Sequence, residues 1–446
     1  MKKMEKIGVR KSLLLIALIC TGVMAKAQQE TQSLKLTLEQ ALEIALTENP
    51  TIKVANQDIE LKKVSQKEAW QNLLPTVDLN GGVTYTVKAA TMNLGGQKFK
   101  MGKDATSTWN GALSVNLPIF APAVYRTMKM TKTDIELAME KSRASRLDLV
   151  NQVTKAYYQL LLAQDSYDVL KQSYAVSEKN YNVVNAKYEQ GKVSEYDKIS
   201  AEVQMRNLKP NVVSARNGIT LAKLQLKVLL GIGDQALDIL INDNLKNYEM
   251  QVANHNANVV TTLDNNTALK QLDLSEKLLN HSLKIQKTSF MPTLALNYAY
   301  QYQSLYNPNF EFWHYDWYPS STLSLTLSVP IYKASNFTKV KSTRIQLEQL
   351  NETRLNTERQ LNMQVQAYLD NMTASTEQLA SNKESVAQAE KGRVIAEKRY
   401  EVGRGTILEL NSSEVALTQA QLTYNQAIYD YLVARTDLDY VLGNER

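Results

Sequence analysis

Few residues in this chain have the types and spacing that catalysis needs. His255, His281 and His314 are scattered and lack the spacing of metal ligands. The sequence has no Gly-rich phosphate loop and no nucleophile elbow. These features point away from an enzyme and imply no catalytic residue, no metal site and no cofactor. What chemistry there is gathers at two matched stretches, Tyr188-Glu189-Gln190-Gly191-Lys192-Val193 and Tyr400-Glu401-Val402-Gly403-Arg404-Gly405. In each, a Gly follows the Tyr by three residues and an acid follows the Gly by six, Asp197 and Glu409. A plain reading exists for all four. The glycines would end helices in the left-handed conformation, and the acids would sit in a helix first turn, favoured by its dipole.

Adding 212 to the first set of positions gives the second, and that offset runs through much of the chain. The elements that hold the two stretches therefore come from a tandem duplication. Before Gly191, Val153, Leu160, Tyr167, Tyr174, Tyr181 and Tyr188 recur every seven residues. Ala156, Ala163, Leu170, Ser177 and Val184 follow three residues later, which predicts one heptad helix over about 124–190. A return helix follows to about 230, with a local kink expected at Pro210. Its seam of Met205, Leu208, Val212, Ala215, Ile219, Ala222, Leu226 and Leu229 recurs, shifted by 212, as Leu417, Ala420, Tyr424, Ala427, Tyr431, Ala434, Leu438 and Val441. The second long helix, about 335–402, keeps Val365, Met372, Leu379, Val386 and Tyr400, with Arg393 breaking the repeat.

Ahead of each long helix the apolar period changes from helical to two. Strands are expected at about 76–88 and 107–120, and again at about 293–303 and 321–332. A loop over roughly 89–106 separates the first pair, and an aromatic loop over 304–320 separates the second. Short helices precede both pairs. One begins at Asn49-Pro50, after a capping-box helix opening at Thr37, and the other runs over about 267–289. The domain plan is a leader at 1–27, a first repeat at 28–230, a connector at 231–262 and a second repeat at 263–446.

The leader reading rests on a basic stretch (Lys2, Lys3, Lys6, Arg10, Lys11), an apolar run from Leu13 to Cys20, and Ala25-Lys26-Ala27 as a cleavage site. Ile19 before Cys20 is too bulky for a lipoprotein signal. Removing the leader leaves 45 Lys+Arg against 44 Asp+Glu and takes the net charge from +6 to +1. No basic surplus remains for nucleic acid. The only Cys leaves as well, so disulfides are excluded. No later apolar run reaches the roughly 20 residues of a membrane helix.

Two-faced strands in a secreted chain fit a transmembrane β-barrel; a soluble sheet covered by a helix is the alternative. Four strands cannot close a barrel, since the smallest have about eight, so protomers must pool them. Two copies would give a barrel that fills with side chains. The return helix and the short helix, placed end to end at about 1.5 Å per residue, nearly match the long helix of about 100 Å. The fold class expected is mainly α with a membrane β element: duplicated coiled-coil helices plus four strands per protomer.

This layout resembles the TolC-like family of outer-membrane efflux proteins over essentially the whole chain after the leader. The resemblance implies a homotrimer with a 12-stranded β-barrel in the outer-membrane lipid and a periplasmic α-helical barrel with a closable end. It also implies an exit duct for small molecules, served by a periplasmic adaptor and an inner-membrane pump. Alternatives are a duct for type I protein secretion, fed by a secretion ATPase, and a non-conducting coiled-coil surface protein. Matching the turns to the family gives gate residues Asp197, Tyr400, Glu409 and Arg404, with Gly405 and Ser412 where the family has an arginine and a second acid. Symmetry would bring copies of Glu409 around an axis, which is costly unless water or cations fill the gap. Gly191, Lys192, Gly403 and Arg404 would be the tips that meet the adaptor. Trp109, Trp313 and Trp317 read as an aromatic belt at the membrane interface rather than a ligand site.

Overall fold

The computed structural model describes residues 33–233, 237–253, 261–308 and 312–445. The leader with Cys20, and also His255 and Phe310, lie outside them. Strand β1 (Ser33–Lys35) leads into α1 (Leu38–Glu48), whose N-terminus is closed by a reciprocal pair. Thr37 Oγ1 accepts from the Gln40 amide at 3.3 Å, and Gln40 Oε1 accepts from the Thr37 amide at 3.1 Å. Helix α2 (Pro50–Gln71) starts on Asn49, whose side chain accepts from the Thr51 amide at 2.8 Å.

The segment expected as a loop over 89–106 instead carries a hairpin, β3 (Ala90–Leu94) and β4 (Gln97–Met101), between β2 (Thr76–Thr86) and β5 (Thr106–Phe120). Gly95 and Gly96, at φ +61° and +89°, make the two-residue turn that only left-handed residues close. Helix α3 (Pro122–Glu189) then runs for 68 residues, and α4 (Glu195–Leu230) returns for 36. Helix α4 continues through Pro210.

The described residues of the connector carry regular structure that was not expected of them. Strand β6 (Asp238–Leu240) pairs in parallel with β1, and a 3-10 turn (Leu245–Tyr248) leads into α5 (Glu249–Ala253). The connector is fastened to both long helices. Asp165 accepts from the Leu245 amide at 2.9 Å, and Glu249 meets Lys383 and Tyr424, each at 2.6 Å. Ile239, Leu245 and Val252 are buried here with Tyr157, Leu160, Leu161, Leu226, Ile428 and Tyr431, which makes this level the core of the molecule.

The second half repeats the first in α6 (Thr267–Thr288), β7 (Thr293–Asn307), β8 (Tyr318–Ser328), α7 (Ala334–Glu401) and α8 (Ile407–Leu442). The long and return helices have the same lengths as in the first half, 68 and 36 residues. Strand β8 lies at 318–328 rather than 321–332. Its ladder ends at the Thr293–Ser328 pair because β7 begins there, and Pro330 offers no amide to continue it. The matching Pro118 stays within β5, beside a register shift, because β7 still pairs with it.

Each long helix packs along a stacked pair, α3 on α2 and α4, and α7 on α6 and α8. The stacking joints are specific. Asn49 Nδ2 donates to the Leu229 carbonyl at 2.7 Å, and Asn266 Nδ2 donates to the Val441 carbonyl at 2.7 Å. Gly231 and Gly443, both left-handed, end the return helices against the Glu48 and Asn265 carbonyls. Each Asn thus caps its own helix with one side-chain atom and satisfies the helix stacked below with the other.

The four long strands form one antiparallel sheet in the order β2-β5-β7-β8. The register aligns Val77, Val115, Tyr298 and Leu323 in one row. Leu117, Leu296 and Leu325 form the next on the same face. The opposite face carries Thr76, Asn116, Asn297 and Ser324, then Asp78, Ser114, Ala299 and Thr322. The apolar face lies open, with Leu79 82 % exposed. Among the described residues β2 and β8 are the edges of this sheet.

Candidate functional site

Both turns between long and return helices close in the same way. The Lys192 amide donates to the Lys187 carbonyl at 2.9 Å and the Arg404 amide to the Arg399 carbonyl at 2.8 Å. Gly191 at φ +68° and Gly403 at φ +72° supply the left-handed residue, and neither is crowded. The glycines are there for the backbone. Lys192 and Arg404 stand exposed at the two tips.

The acids that follow are first-turn residues, as their plain reading has it, and they differ. Asp197 completes a capping box. Its carboxylate accepts from the Ser194 amide at 3.1 Å and the Ser194 hydroxyl at 2.8 Å, while Ser194 Oγ accepts from the Asp197 amide at 3.1 Å. The Glu409 amide donates to Thr406 Oγ1 at 3.1 Å, and its carboxylate lies 3.5 Å from Arg399. Gly405, where the resemblance implies an arginine, is a tight place for a side chain, since a Cβ would stand 3.0 Å from Arg399 Cβ and the neighbour would have to give by a few tenths of an ångström. Ser412 is exposed.

Tyr400 lies where the two coiled coils touch. Val184 and Ala201 of the first coil are buried with Ile407 and Leu410 of the second, and Tyr400, Tyr181, Val193 and Ala396 pack around them. The Tyr400 hydroxyl is buried without a hydrogen-bond partner. Burial first, and the charge of Asp197 second, raise its pKa above the usual phenol value. Lys187 Nζ sits 4.8 Å from the centre of the ring. Of the four expected gate residues, then, Asp197 acts on Tyr400 through its charge, with no hydrogen bond to the Tyr400 hydroxyl. The structure leaves Glu409 facing Arg399 and Arg404 on the tip.

Nothing in the sequence pattern marks Lys187 and Arg399, each immediately before its turn tyrosine. Arg393 shows there only as a break in the heptad. Arg393 lies 3.1 Å from Glu397, 3.2 Å from Glu390 and 3.5 Å from Glu414 of the return helix. Glu414 is buried, and burial raises its carboxyl pKa while Arg393 opposes the rise.

The aromatic residues cluster at the end of the sheet away from the long helices. Trp109 donates to Ser107 Oγ at 3.1 Å and its ring lies 6.1 Å from Tyr315. Trp317 is half-buried, and Trp313 is 91 % exposed. Among the described residues no helix is long and apolar enough to cross a membrane, and no group of three or more His, Cys, Asp or Glu could hold a metal ion.

The sequence profile of the outer membrane efflux protein family matches residues 41–232 and 258–444. Outer membrane protein TolC of Escherichia coli strain K12 is 23 % identical over 443 residues, spanning 96 % of this chain and 85 % of its own. In solved structures, the CmeC outer membrane channel of Campylobacter jejuni superposes with a TM-score of 0.71 at 16 % identity, over 94 % of this chain and 90 % of its own. The outer membrane protein VceC of Vibrio cholerae gives 0.71 at 16 % identity, over 91 % and 96 %.

Proposed function

The chain belongs to the outer membrane efflux protein family, and from that membership we propose that three copies form a passive duct joined at its inner end to a periplasmic adaptor and an inner-membrane pump. As a member it is an outer-membrane channel component reaching into the periplasm. The observation that carries the proposal is the four-stranded sheet with one apolar face, one polar face and two edges. Lipid satisfies the apolar face, and edge strands exposed to lipid must be paired. Because β2 and β8 run in opposite directions, β8 of one copy can meet β2 of the next in the antiparallel sense the sheet already uses. Three copies give twelve strands. Asn80, Asn116, Asn297, Gln301 and Thr326 then face a lumen that water fills, and Trp109, Trp313 and Trp317 fall at the outer rim.

The tips lie at the other end of the long helices, about 100 Å away at 1.5 Å per residue. We assign Gly191, Lys192, Gly403 and Arg404 to adaptor contact, and Asp197, Tyr400, Glu409 and Arg404 to the closable end. Such a duct has no catalytic step. Purified protein added to a planar bilayer should give discrete conductance steps and run as a trimer. A folded protein that never conducts would support the coiled-coil scaffold instead. Deletion should raise sensitivity to dyes, drugs or bile salts; unchanged sensitivity with a depleted secretome would move the cargo to secreted protein.

A further inference from the structure

The duplicated tips have diverged at two positions that matter together. The first return helix opens with Glu195 and Lys198, and their counterparts 212 residues on are Ile407 and Leu410. Glu195 is exposed, while Ile407 and Leu410 are almost wholly buried. In the first coil the turn tyrosine, Tyr188, is covered by Lys198 of its own return helix, at 5.0 Å from the ring centre. In the second coil Leu410 has replaced that cation. Tyr400 instead takes its cation from the other coil, Lys187 at 4.8 Å. Together the two differences supply an apolar plug, in which Ile407 and Leu410 pack on Val184 and Ala201 across the boundary between coils.

We propose that this plug and the Lys187 ammonium over the face of Tyr400 form the latch that holds the two coiled coils together at the closable end, and that the ring of Tyr400, not its hydroxyl, is the working part. The proposal rests on reading the tips as that end. A cation is drawn to an aromatic face by the ring quadrupole, which phenylalanine shares with tyrosine. The hydroxyl makes no hydrogen bond, and the two bonds that the Asp197 carboxylate accepts, both at Oδ2, come from Ser194 rather than from Tyr400. Lys187 and Tyr400 are therefore positioning residues for closure.

Four variants in the full-length trimer test this by mean single-channel conductance, with thermal melting as the folding control. Tyr400→Phe and Lys187→Arg should stay within about twofold of the parent. Tyr400→Leu and Lys187→Met should each raise conductance about threefold to tenfold at unchanged melting temperature. A Tyr400→Phe channel as leaky as Tyr400→Leu would overturn the proposal in favour of a hydroxyl-based link. So would four variants that all conduct like the parent. A parent that conducts nothing under any condition would instead remove the duct reading on which the latch depends.

Discussion

Arg393 interrupts a heptad that otherwise runs from Val365 to Tyr400, and the structure shows what it is for. Its guanidinium is shared among Glu390, Glu397 and the buried Glu414. Removing one member of a buried charge pair leaves the other uncompensated, which costs more than the pair contributes. Arg393→Leu should therefore destabilise the protein by about 3 kcal/mol at pH 7. The pH dependence has a fixed sign. Burial raises the Glu414 pKa, so the folded state holds this proton more tightly than the unfolded state, and stability from this group grows as pH falls through the folded value. Loss of Arg393 raises that value further, so the Arg393→Leu penalty should shrink on going from pH 7 to pH 5, read by denaturant melts. Arg393→Leu with Glu414→Leu should recover most of the loss; no recovery would mean the cluster is held by something other than this pair. The break at Arg393 was legible in the sequence, but its partner was not, because Glu414 lies on another helix and a heptad count names only positions along one. Asp197 teaches the converse. Its spacing after Gly191 was visible, yet the same spacing serves a capping box with Ser194, and only the side-chain direction separates a cap from a link to Tyr400.

Two helices placed end to end behave as one only if the break between them is sealed. The lengths of the short and return helices were readable from caps and glycines, and they implied stacking beside the long helix. The seal was not readable, because Asn49 and Asn266 look like ordinary N-caps and the second hydrogen bond of each reaches a carbonyl 180 and 175 residues away. Loss of that bond strands an otherwise unsatisfied helix-terminal carbonyl. Asn266→Ala removes both the cap to the Leu269 amide and the bond to Val441, and should cost about 2 kcal/mol. Gly443→Ala should be worse than Gly231→Ala. The added Cβ would fall 2.1 Å from the Asn265 carbonyl oxygen in the first case and 2.9 Å from that of Glu48 in the second. Both also place a side chain on a left-handed residue, which adds roughly 1–2 kcal/mol. Limited proteolysis at the joint and melting temperature would rank the three. Equal effects for the two glycines would show that the joints relax alike and that the tighter contact is not felt. The hairpin β3–β4 was hard to read in the sequence for a different reason. Its Gly95-Gly96 turn is a strong local signal, but Lys98 and Lys100 on short strands read as loop composition.

At the scale of the whole molecule the sheet is the part that one copy cannot complete. Period-two patterning foretold its two faces, because side chains alternate strictly and a register error of one residue would invert them. The exact partners fixed by the ladder turn that pattern into neighbouring test positions on β8. Leu325 pairs with Leu296 in the apolar row, and Thr326 pairs with Ala295 on the polar face. A charge facing lipid near the bilayer midplane costs about 2–4 kcal/mol, whereas a charge facing water in the lumen changes the field seen by ions. Leu325→Arg should therefore lower the yield of membrane-inserted trimer. Thr326→Arg, one residue away, should assemble normally and shift the reversal potential of the channel toward anions under a salt gradient. Trimer yield on unheated gels and bilayer recordings read the two effects separately. If Thr326→Arg blocked assembly while Leu325→Arg altered selectivity, the sheet would be closed the other way round, with its apolar rows inside, and the barrel proposed for three copies would have to be abandoned.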